Sequence, residues 1–387
     1  MERESMQVDV LFVGAGPANL AAAYRLASRL KSAGKLDETS IMVIEKAREV
    51  GDHILSGGIM DPKAMIELFG EDYRQQGCPV DADVTNEAVY TLTATKAKKL
   101  PFVPPTLKNH GSVIVSLSHV VRWMKEKLEA DFGESLMVAE SQPAQSLLLE
   151  GSKVRGVRLV DRGRCKDGSP GPSFEAGSDI EARITVLGEG SRGSLTKSLV
   201  DTLNLGGVNP QVYGTGVKEI WDIPAGRITK GTVYHTAGWP LPDNNYGGSW
   251  VYALSDTRVS IGFVTALDGG SPGCDPYETI QAWKTHPFMK NLLDGGTLQK
   301  SGAKTVPEGG WYSRPKSYGD GFLIVGDSGS LLNIARLKGI HTAIKSGLLA
   351  GETIAEALFS DASLDVSLKA YEERLQGSWI KDELLRV

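Results

Sequence analysis

Four short glycine-containing segments hold residue types from which a dinucleotide site is built. The first is Gly14-Ala15-Gly16-Pro17-Ala18-Asn19. Gly14 permits a tight turn, and Gly16 lets a pyrophosphate approach the backbone. Pro17 and Ala18 then open a helix whose N–H groups and dipole attract an anion. Glu45 ends the next apolar run, where a carboxylate accepts hydrogen bonds from ribose hydroxyls. It lies further from the glycines than the usual ~20 residues. The polar stretch Lys31 to Thr39 absorbs the excess as a longer connection. The second segment, Gly188-Glu189-Gly190, reads as another ligand contact or as a plain turn. The third is Gly326-Asp327, where the carboxylate reaches a ligand hydroxyl or caps a turn. The fourth, Lys338-Gly339-Ile340-His341-Thr342, opens a helix whose positive end, with His341 and Thr342, suits an electron-rich ring. For His341 a structural hydrogen bond away from the ring is the other reading. Each segment alone is weak; in this order and spacing they point to FAD.

Alternating element types must position these turns. Val8–Val13 reads as a buried strand, Pro17–Leu30 as a helix and Ser40–Ile44 as a second strand, which is βαβ order. Asn19 stands where the dinucleotide fingerprint has its third glycine, the one that allows close helix–strand packing. The expectation is therefore a helix seated slightly further out, and an Asn19→Gly substitution that tightens the fold or the ligand. Gly51–Met60 reads as loop, and three prolines break regular structure over Pro101–Pro105. Leu117–Phe132 is an amphipathic helix. Ser146–Leu149 and Val154–Asp161 form a strand pair around Gly151, and Gly163–Gly177 reads as a surface loop. Ile180–Leu187 and Phe322–Val325 are further strands, and Gly339–Phe359 is helical. Tyr213–Phe263, rich in β-branched and aromatic residues, reads as a separate antiparallel sheet. The fold class is thus α/β (α+β overall), with a discontinuous nucleotide domain into which a sheet domain is inserted.

Composition narrows the partners. The 387 residues suit two interleaved domains. Formal charge is −5, from 47 acidic and 42 basic side chains, which argues against a nucleic-acid partner. No apolar run reaches the roughly 18 residues of a membrane span, so membrane contact is expected to be peripheral. The N-terminus does not read as a signal peptide. Cys78, Cys165 and Cys274 are far apart, and none belongs to a Cys-x-x-Cys pair. The sequence therefore predicts reduced thiols, with no disulfide framework and no metal site.

Further segments complete a resemblance. They are Val8–Leu20, Gly51-Asp-His-Ile-Leu-Ser-Gly57 with Asp61-Pro62, Asn109-His-Gly111 and Gly188-Glu-Gly190. Next come Gly238-Trp-Pro-Leu241, Tyr246-Gly-Gly-Ser249, Trp283-Lys with His286-Pro287, Glu308-Gly-Gly310 and Lys338–Gly347. In this order the chain resembles the electron transfer flavoprotein–ubiquinone oxidoreductases along essentially its whole length. The resemblance implies a glutathione-reductase-type FAD domain over 1–78, 109–204 and 318–387. It implies a quinone domain over 79–108 and 205–317. It implies electrons passed from reduced electron transfer flavoprotein to ubiquinone, at the surface of the inner membrane, with the bacterial cytoplasmic face favoured. The family's backbone contacts to the quinone fall on Gly247 and Gly248, beside Tyr246. A hairpin turn at Tyr246-Gly-Gly is compatible with that role. Pro101–Leu107 is a possible membrane-facing entrance for the quinone tail.

One departure is large. Family members carry a C-terminal segment whose cysteines hold a 4Fe–4S cluster, and the three cysteines here do not match it. The chain is then a fragment, or a variant without the cluster. A flavin monooxygenase or prenyl reductase of related fold remains an alternative, as does a non-catalytic FAD-binding fragment. Gly326-Asp327-Ser328-Gly329 is a smaller departure from the family pattern.

Overall fold

The computed structural model describes residues 3–54, 57–269, 273–360 and 368–387. Leu55 and Ser56, in the Gly51–Gly57 motif, lie outside the described residues. Four parallel pairings form the backbone of an eight-stranded sheet. Its order runs Tyr318–Gly319, Phe322–Ile324, Asp179–Leu187, Ser5–Val13, Ile41–Ile44, Leu136–Ala139. The hairpin of Ala144–Glu150 and Lys153–Leu159 attaches antiparallel to Asp179–Leu187. Ile41–Ile44 is buried at every position, as a strand covered on both faces must be.

Helices Pro17–Ser32, Leu117–Phe132 and Ile340–Phe359 cover one face of this sheet, packing on Val10, Phe12, Val43 and Ile184. The other face, with Leu11, Val13, Ile44 and Leu187, packs on the hairpin and on helix Ser194–Leu203. Alternate residues of one strand thus feed two cores, which is the period-2 pattern of a strand. The helix Pro17–Ser32 starts at Gly16 with Pro17 in its first turn and no acidic residue there. The long helix Ile340–Phe359 crosses it at backbone contact. A Cβ on Gly347 would lie 1.9 Å from the Ala18 carbonyl oxygen, and one on Gly351 would lie 2.5 Å from that of Ala22.

A seven-stranded sheet draws on residues 86–99 and 213–307. Its order is Thr297–Pro307, Tyr213–Asp222, Arg258–Ala266, Gly247–Ser255, Thr232–Gly238, Asn86–Leu92, Ala97–Lys99. It is not wholly antiparallel, because Thr232–Gly238 pairs parallel with Asn86–Leu92. That strand precedes the rest by more than a hundred residues, so no hairpin rule governed its direction. One face packs Val217, Val251, Ile261 and Phe263 on helix Pro276–Thr285, with Trp283 fully buried between them. The other face meets a three-stranded sheet of Gly58–Met60, Val113–Val115 and Ala82–Asp83 through Tyr252, Val233 and Ile114.

Two local expectations are corrected. Gly58–Met60 is a strand rather than loop. Gly163–Gly177 carries a hairpin of Arg162–Arg164 and Pro170–Glu175. The glycines and prolines there mark its turns and close strand approach, for a Cβ on Gly163 would lie 2.1 Å from the Ser173 carbonyl oxygen.

Asn19 does not loosen the first helix. It is fully buried, and its side-chain amide donates to the carbonyl oxygens of Val13 and Gly14, both at 2.8 Å. It fills the space left by Gly188, where a Cβ would lie 2.6 Å from the Asn19 side chain. The asparagine ties the turn to the helix and the second strand end. Asn19→Gly should therefore destabilise the protein, by about 2 kcal/mol from two lost side-chain bonds and a helical glycine. A lower midpoint in urea unfolding is the expected reading; an unchanged or raised midpoint would restore the looser-packing account.

Candidate functional site

The three strand-end glycine turns come together because their strands are neighbours. Ser5–Val13 pairs with Asp179–Leu187, which pairs with Phe322–Ile324, all parallel, so their carboxyl ends share one edge. That edge is where open α/β sheets bind ligands. Gly14 has φ +93°, and a Cβ there would lie 2.8 Å from the Gly188 carbonyl oxygen. Gly326 has φ +60°, and a Cβ there would lie 3.0 Å from the Ala18 Cβ. These two positions require glycine both for backbone conformation and for room. Ser328 donates to the Gly190 carbonyl oxygen at 3.0 Å, and the Gly326 N–H donates to Ser346 Oγ at 2.9 Å. The second and third turns and the long helix are thus tied into one unit. Ser328 and Ser346 gave no signal in the sequence, because they act across elements.

Around Gly190, with φ +88°, nothing lies within 4 Å of an added Cβ, so this turn faces open space. Glu189, between the two glycines, turns away. Its carboxylate accepts the N–H groups of Leu195 and Thr196, at 3.2 and 2.8 Å, and caps helix Ser194–Leu203. Glu45 stands where expected, at the end of Ile41–Ile44, but its carboxylate also organises backbone. It accepts Ala15 N–H at 2.9 Å and Ala47 N–H at 2.8 Å, so it clamps the first turn to the second strand.

Asp327 lies beside the opening of the long helix; its carboxylate oxygen is 3.5 Å from where a Gly339 Cβ would stand. Among the described residues no side-chain hydrogen bond satisfies it. Burial pushes its carboxyl up to about 6, with only Lys304 opposing. Lys304 belongs to the second sheet, in Thr297–Pro307. Its own ammonium is held below the usual lysine range by burial and by Lys46, while Glu45 and Asp327 act the other way. One lysine therefore feels both carboxylates of the strand-end edge.

At the long helix, Gly339 is the N-cap and Thr342 donates to the Gly339 carbonyl oxygen at 2.9 Å. Thr342 is fully buried, so its hydroxyl first serves its own helix end. His341 points elsewhere. Its Nε2 pairs with Glu383 at 2.9 Å, and its ring stacks on Trp379 with an interplanar angle of 3°. Asp61, His341 and Glu383 group closely enough for a metal. Their carboxylates are already neutralised: Arg336 pairs with Asp61 at 3.0 Å and with Glu383 at 2.8 Å, and Lys63 also pairs with Glu383. The cluster reads as a structural network that docks the last helices. It is the one such group among the described residues, and it contains no cysteine.

The Tyr246-Gly247-Gly248 segment opens strand Gly247–Ser255. The pairing places Gly216, Val264 and Gly248 in one row, and Lys218, Gly262 and Trp250 in the next, on one face of the sheet. Three of these six residues are glycine, and the other three are Val264, Lys218 and Trp250. The Trp250 ring lies over Gly262, where a Cβ would meet it at 2.2 Å. A flat, glycine-floored surface with one indole is suited to a planar ring. Tyr246 is 49% exposed at its end and donates its hydroxyl to Asp268 at 2.9 Å. Lys218 Nζ and Ser260 Oγ from this face donate to the Gly57 carbonyl oxygen, at 2.7 and 3.1 Å, which fixes the face against the glycine-rich motif. Of the Pro101–Leu107 segment, Phe102 is 64% exposed. No helix among the described residues is long and apolar enough to cross a membrane.

Asp327 gives a test of the electrostatics. Its folded carboxyl binds a proton more tightly than the ordinary value of 3.8, so folding takes up protons in this window. Stability from this group is present below about 4 and is lost as pH rises through about 6. Asp327→Asn should therefore raise the melting temperature of ligand-free protein at pH 7.5 and change it little at pH 3.5. An equal shift at both values would contradict this reading.

Comparison with known proteins follows the same lines. The family description "ETF-QO, ubiquinone-binding" matches residues 213–306, most of the second sheet. Over 100% of its length the chain is 40% identical to the electron transfer flavoprotein-ubiquinone oxidoreductase of Pseudomonas aeruginosa, and it covers 70% of that protein. Over 99% of its length it is 40% identical to the mitochondrial protein of the same name from Oryza sativa, covering 65% of it. Among solved structures, a geranylgeranyl bacteriochlorophyll reductase-like protein from Thermoplasma acidophilum superposes with a TM-score of 0.73. Identity is 18%, with 99% of this chain and 86% of the other covered. Aklavinone-11 hydroxylase, in a ternary complex with FAD and aklavinone, gives a TM-score of 0.67 at 16% identity, covering 100% and 69% of the two chains. At these identities the two structures share a fold with this chain. The chain spans between 59% and 71% of the length of curated relatives it matches.

Proposed function

The chain belongs to the electron transfer flavoprotein–ubiquinone oxidoreductase family, and from that membership we propose that it binds FAD along the shared strand edge and passes electrons to ubiquinone at Tyr246–Gly248. The observation that carries the reading is the convergence of Gly14, Gly190 and Gly326 on one sheet edge, with the long helix opening beside them. The residues fit the cofactor. Gly14, Ala15, Gly16, Pro17 and Ala18 offer the pyrophosphate a helix start without acidic residues. In this reading Glu45, whose carboxylate also accepts the Ala15 and Ala47 N–H groups, takes the ribose hydroxyls. Gly190 leaves room at the second turn, and Gly326 and Asp327 line the third. In this reading the ring system lies at the positive end of the helix that Gly339 and Thr342 open. FAD, when bound, supplies the ability to take up two electrons and release them singly.

The chain's own residues hold, orient and shield. Asp327 is partly buried, and its raised carboxyl responds to what lies beside it. The glycine-floored face offers the quinone a flat seat, with backbone groups of Gly247 and Gly248 at its edge and Tyr246 beside them. The division into an FAD domain over 1–78, 109–204 and 318–387, and a quinone domain over 79–108 and 205–317, is part of the same proposal. So is reduced electron transfer flavoprotein as the donor. The quinone partner implies peripheral contact with the inner membrane, on the cytoplasmic face in bacteria, and exposed Phe102 supports a contact there. The cysteines do not fit an iron–sulfur cluster. Cys78 is buried, Cys165 is exposed, Cys274 is intermediate, and none joins a metal-holding group among the described residues.

Purified protein loaded with FAD should show flavin absorbance, and after chemical reduction it should be reoxidised by a soluble ubiquinone analogue. Gly248→Ala brings a methyl within 2.9 Å of the Thr236 carbonyl oxygen and onto the flat face. It should slow reoxidation by the analogue roughly tenfold, the cost of one disturbed hydrogen bond, with flavin content unchanged. Protein that cannot be loaded with flavin, or whose reduced flavin is inert to the quinone, would overturn the proposal.

A further inference from the structure

Reduction of a quinone to a quinol needs two protons as well as two electrons, and the residues above do not yet supply them. The candidate is separated from Tyr246 by two strands, Tyr213–Asp222 and Arg258–Ala266. Glu308 follows strand Thr297–Pro307, and its backbone N–H donates to the Val212 carbonyl oxygen at 2.9 Å. Its side chain then lies across the neighbouring strand at Gly214, where a Cβ would stand 2.2 Å from the carboxylate oxygen. Glycine at 214 is what lets the carboxyl lie over the sheet on the face that carries Gly216, Gly248 and Trp250. Glu308 is 7% exposed, and its buried Oε2 has no hydrogen-bond partner among the described residues. An unsatisfied buried carboxyl oxygen costs stability and calls for a functional account.

The charged and titratable groups around it are few. Tyr246 reaches it from the head of strand Gly247–Ser255, and Asp268 from the end of strand Arg258–Ala266. On strand Tyr213–Asp222 the guanidinium of Arg192 lies 5.0 Å above the Tyr213 ring. Lys304, on the strand that precedes Glu308, feels Lys46, Glu45 and Asp327 instead. Burial pushes the Glu308 carboxyl up to about 7, Asp268 adds to this, and Tyr246 opposes it. Asp268 is exposed, and it accepts the Tyr246 hydroxyl. Tyr246 thus bonds solvent-exposed Asp268 and acts on the buried Glu308 carboxyl.

We propose that Glu308 is a proton store for quinone reduction, acting through the Tyr246 hydroxyl on a quinone seated at Gly247–Gly248. This rests on the quinone site proposed above. Each quinone carbonyl oxygen gains one electron and one proton. The electrons come one at a time by way of the FAD. One proton leaves the Tyr246 hydroxyl for the carbonyl oxygen beside it, and Tyr246 is refilled from the Glu308 carboxylic acid; the other carbonyl oxygen, across the ring, takes its proton from solvent. The Glu308 carboxylate then regains a proton from solvent by way of Asp268 and Tyr246. With two electrons taken up and both oxygens protonated, the quinol is complete. Glu308 does not itself touch the quinone, so its removal should alter the proton dependence of the rate and leave the affinity for the quinone in place.

The test compares reoxidation of chemically reduced, FAD-loaded full chain by a soluble ubiquinone analogue and by ferricyanide, which takes an electron without a proton, between pH 5.5 and 8.5. With the quinone, the wild-type rate should fall as pH rises through about 7, where the acid form of Glu308 is lost. Glu308→Gln should lower the rate roughly tenfold and flatten the profile, with the KM for the quinone little changed. Glu308→Asp, which keeps a titrating carboxyl, should restore a pH break. Ferricyanide rates should be equal in all three proteins, which also shows that each is folded and loaded. A wild-type pH profile in Glu308→Gln would overturn the relay alone. If no protein, wild type included, reduces the quinone while all reduce ferricyanide, the quinone site falls, and the relay with it.

Discussion

The contact between Gly347 and the Ala18 carbonyl holds the candidate site together. Two helices separated by some 320 residues touch at their backbones, which only glycine at 347 and 351 allows. The approach sets where the long helix begins. From there Ser346 reaches the Gly326 N–H, and Gly339 comes up beside Asp327. Were the helices held apart by side chains, at the usual 8–10 Å between axes, the positive helix end would stand back from the strand edge. Asn19 belongs to the same arrangement, because it fixes the first turn of the partner helix to the Gly14 loop.

The second sheet is held by polar ties, buried or partly buried. Lys218 and Ser260 grip the Gly57 carbonyl, and Ser191, just after the Gly188 turn, donates to the Thr305 carbonyl. Lys304, next along that strand, faces the carboxylates of the nucleotide edge. The glycine-floored face is therefore held in register with the strand ends rather than merely near them. An electron-transfer site benefits from such fixing, since the chemistry belongs to the cofactor and the protein contributes position and electrostatics.

Much of this was legible in the sequence, and the failures have physical reasons. The strands Val8–Val13 and Ile180–Leu187 and the helix Leu117–Phe132 announced themselves by apolar runs or periodicity, and all three lie within or coincide with observed elements. The parallel pairing of Asn86–Leu92 was hidden, because strand direction across a long separation leaves no local mark. Asn19 was misread because the fingerprint assigns its position to packing space. Here the space was vacated by Gly188 on another strand. His341 was drawn away by Glu383 and Trp379, residues near the far end of the chain. Glu308 sat in a recognisable motif, yet nothing in that motif showed that Gly214 opens a path for its carboxyl.

The packing of the long helix on the first one also fixes an order of events in synthesis. The helix Pro17–Ser32 emerges early from the ribosome, with Ala18, Ala21 and Ala22 forming a face whose partner is encoded beyond residue 340. Until that partner emerges, the parallel sheet has only part of its cover and the strand-end edge has no long helix beside it. Chains synthesised from the N-terminus fold domain by domain only where each domain's residues are contiguous. Here the second sheet separates the two parts of the nucleotide half, so the apolar face of helix Pro17–Ser32 has no cover from the long helix until residues beyond 340 are made.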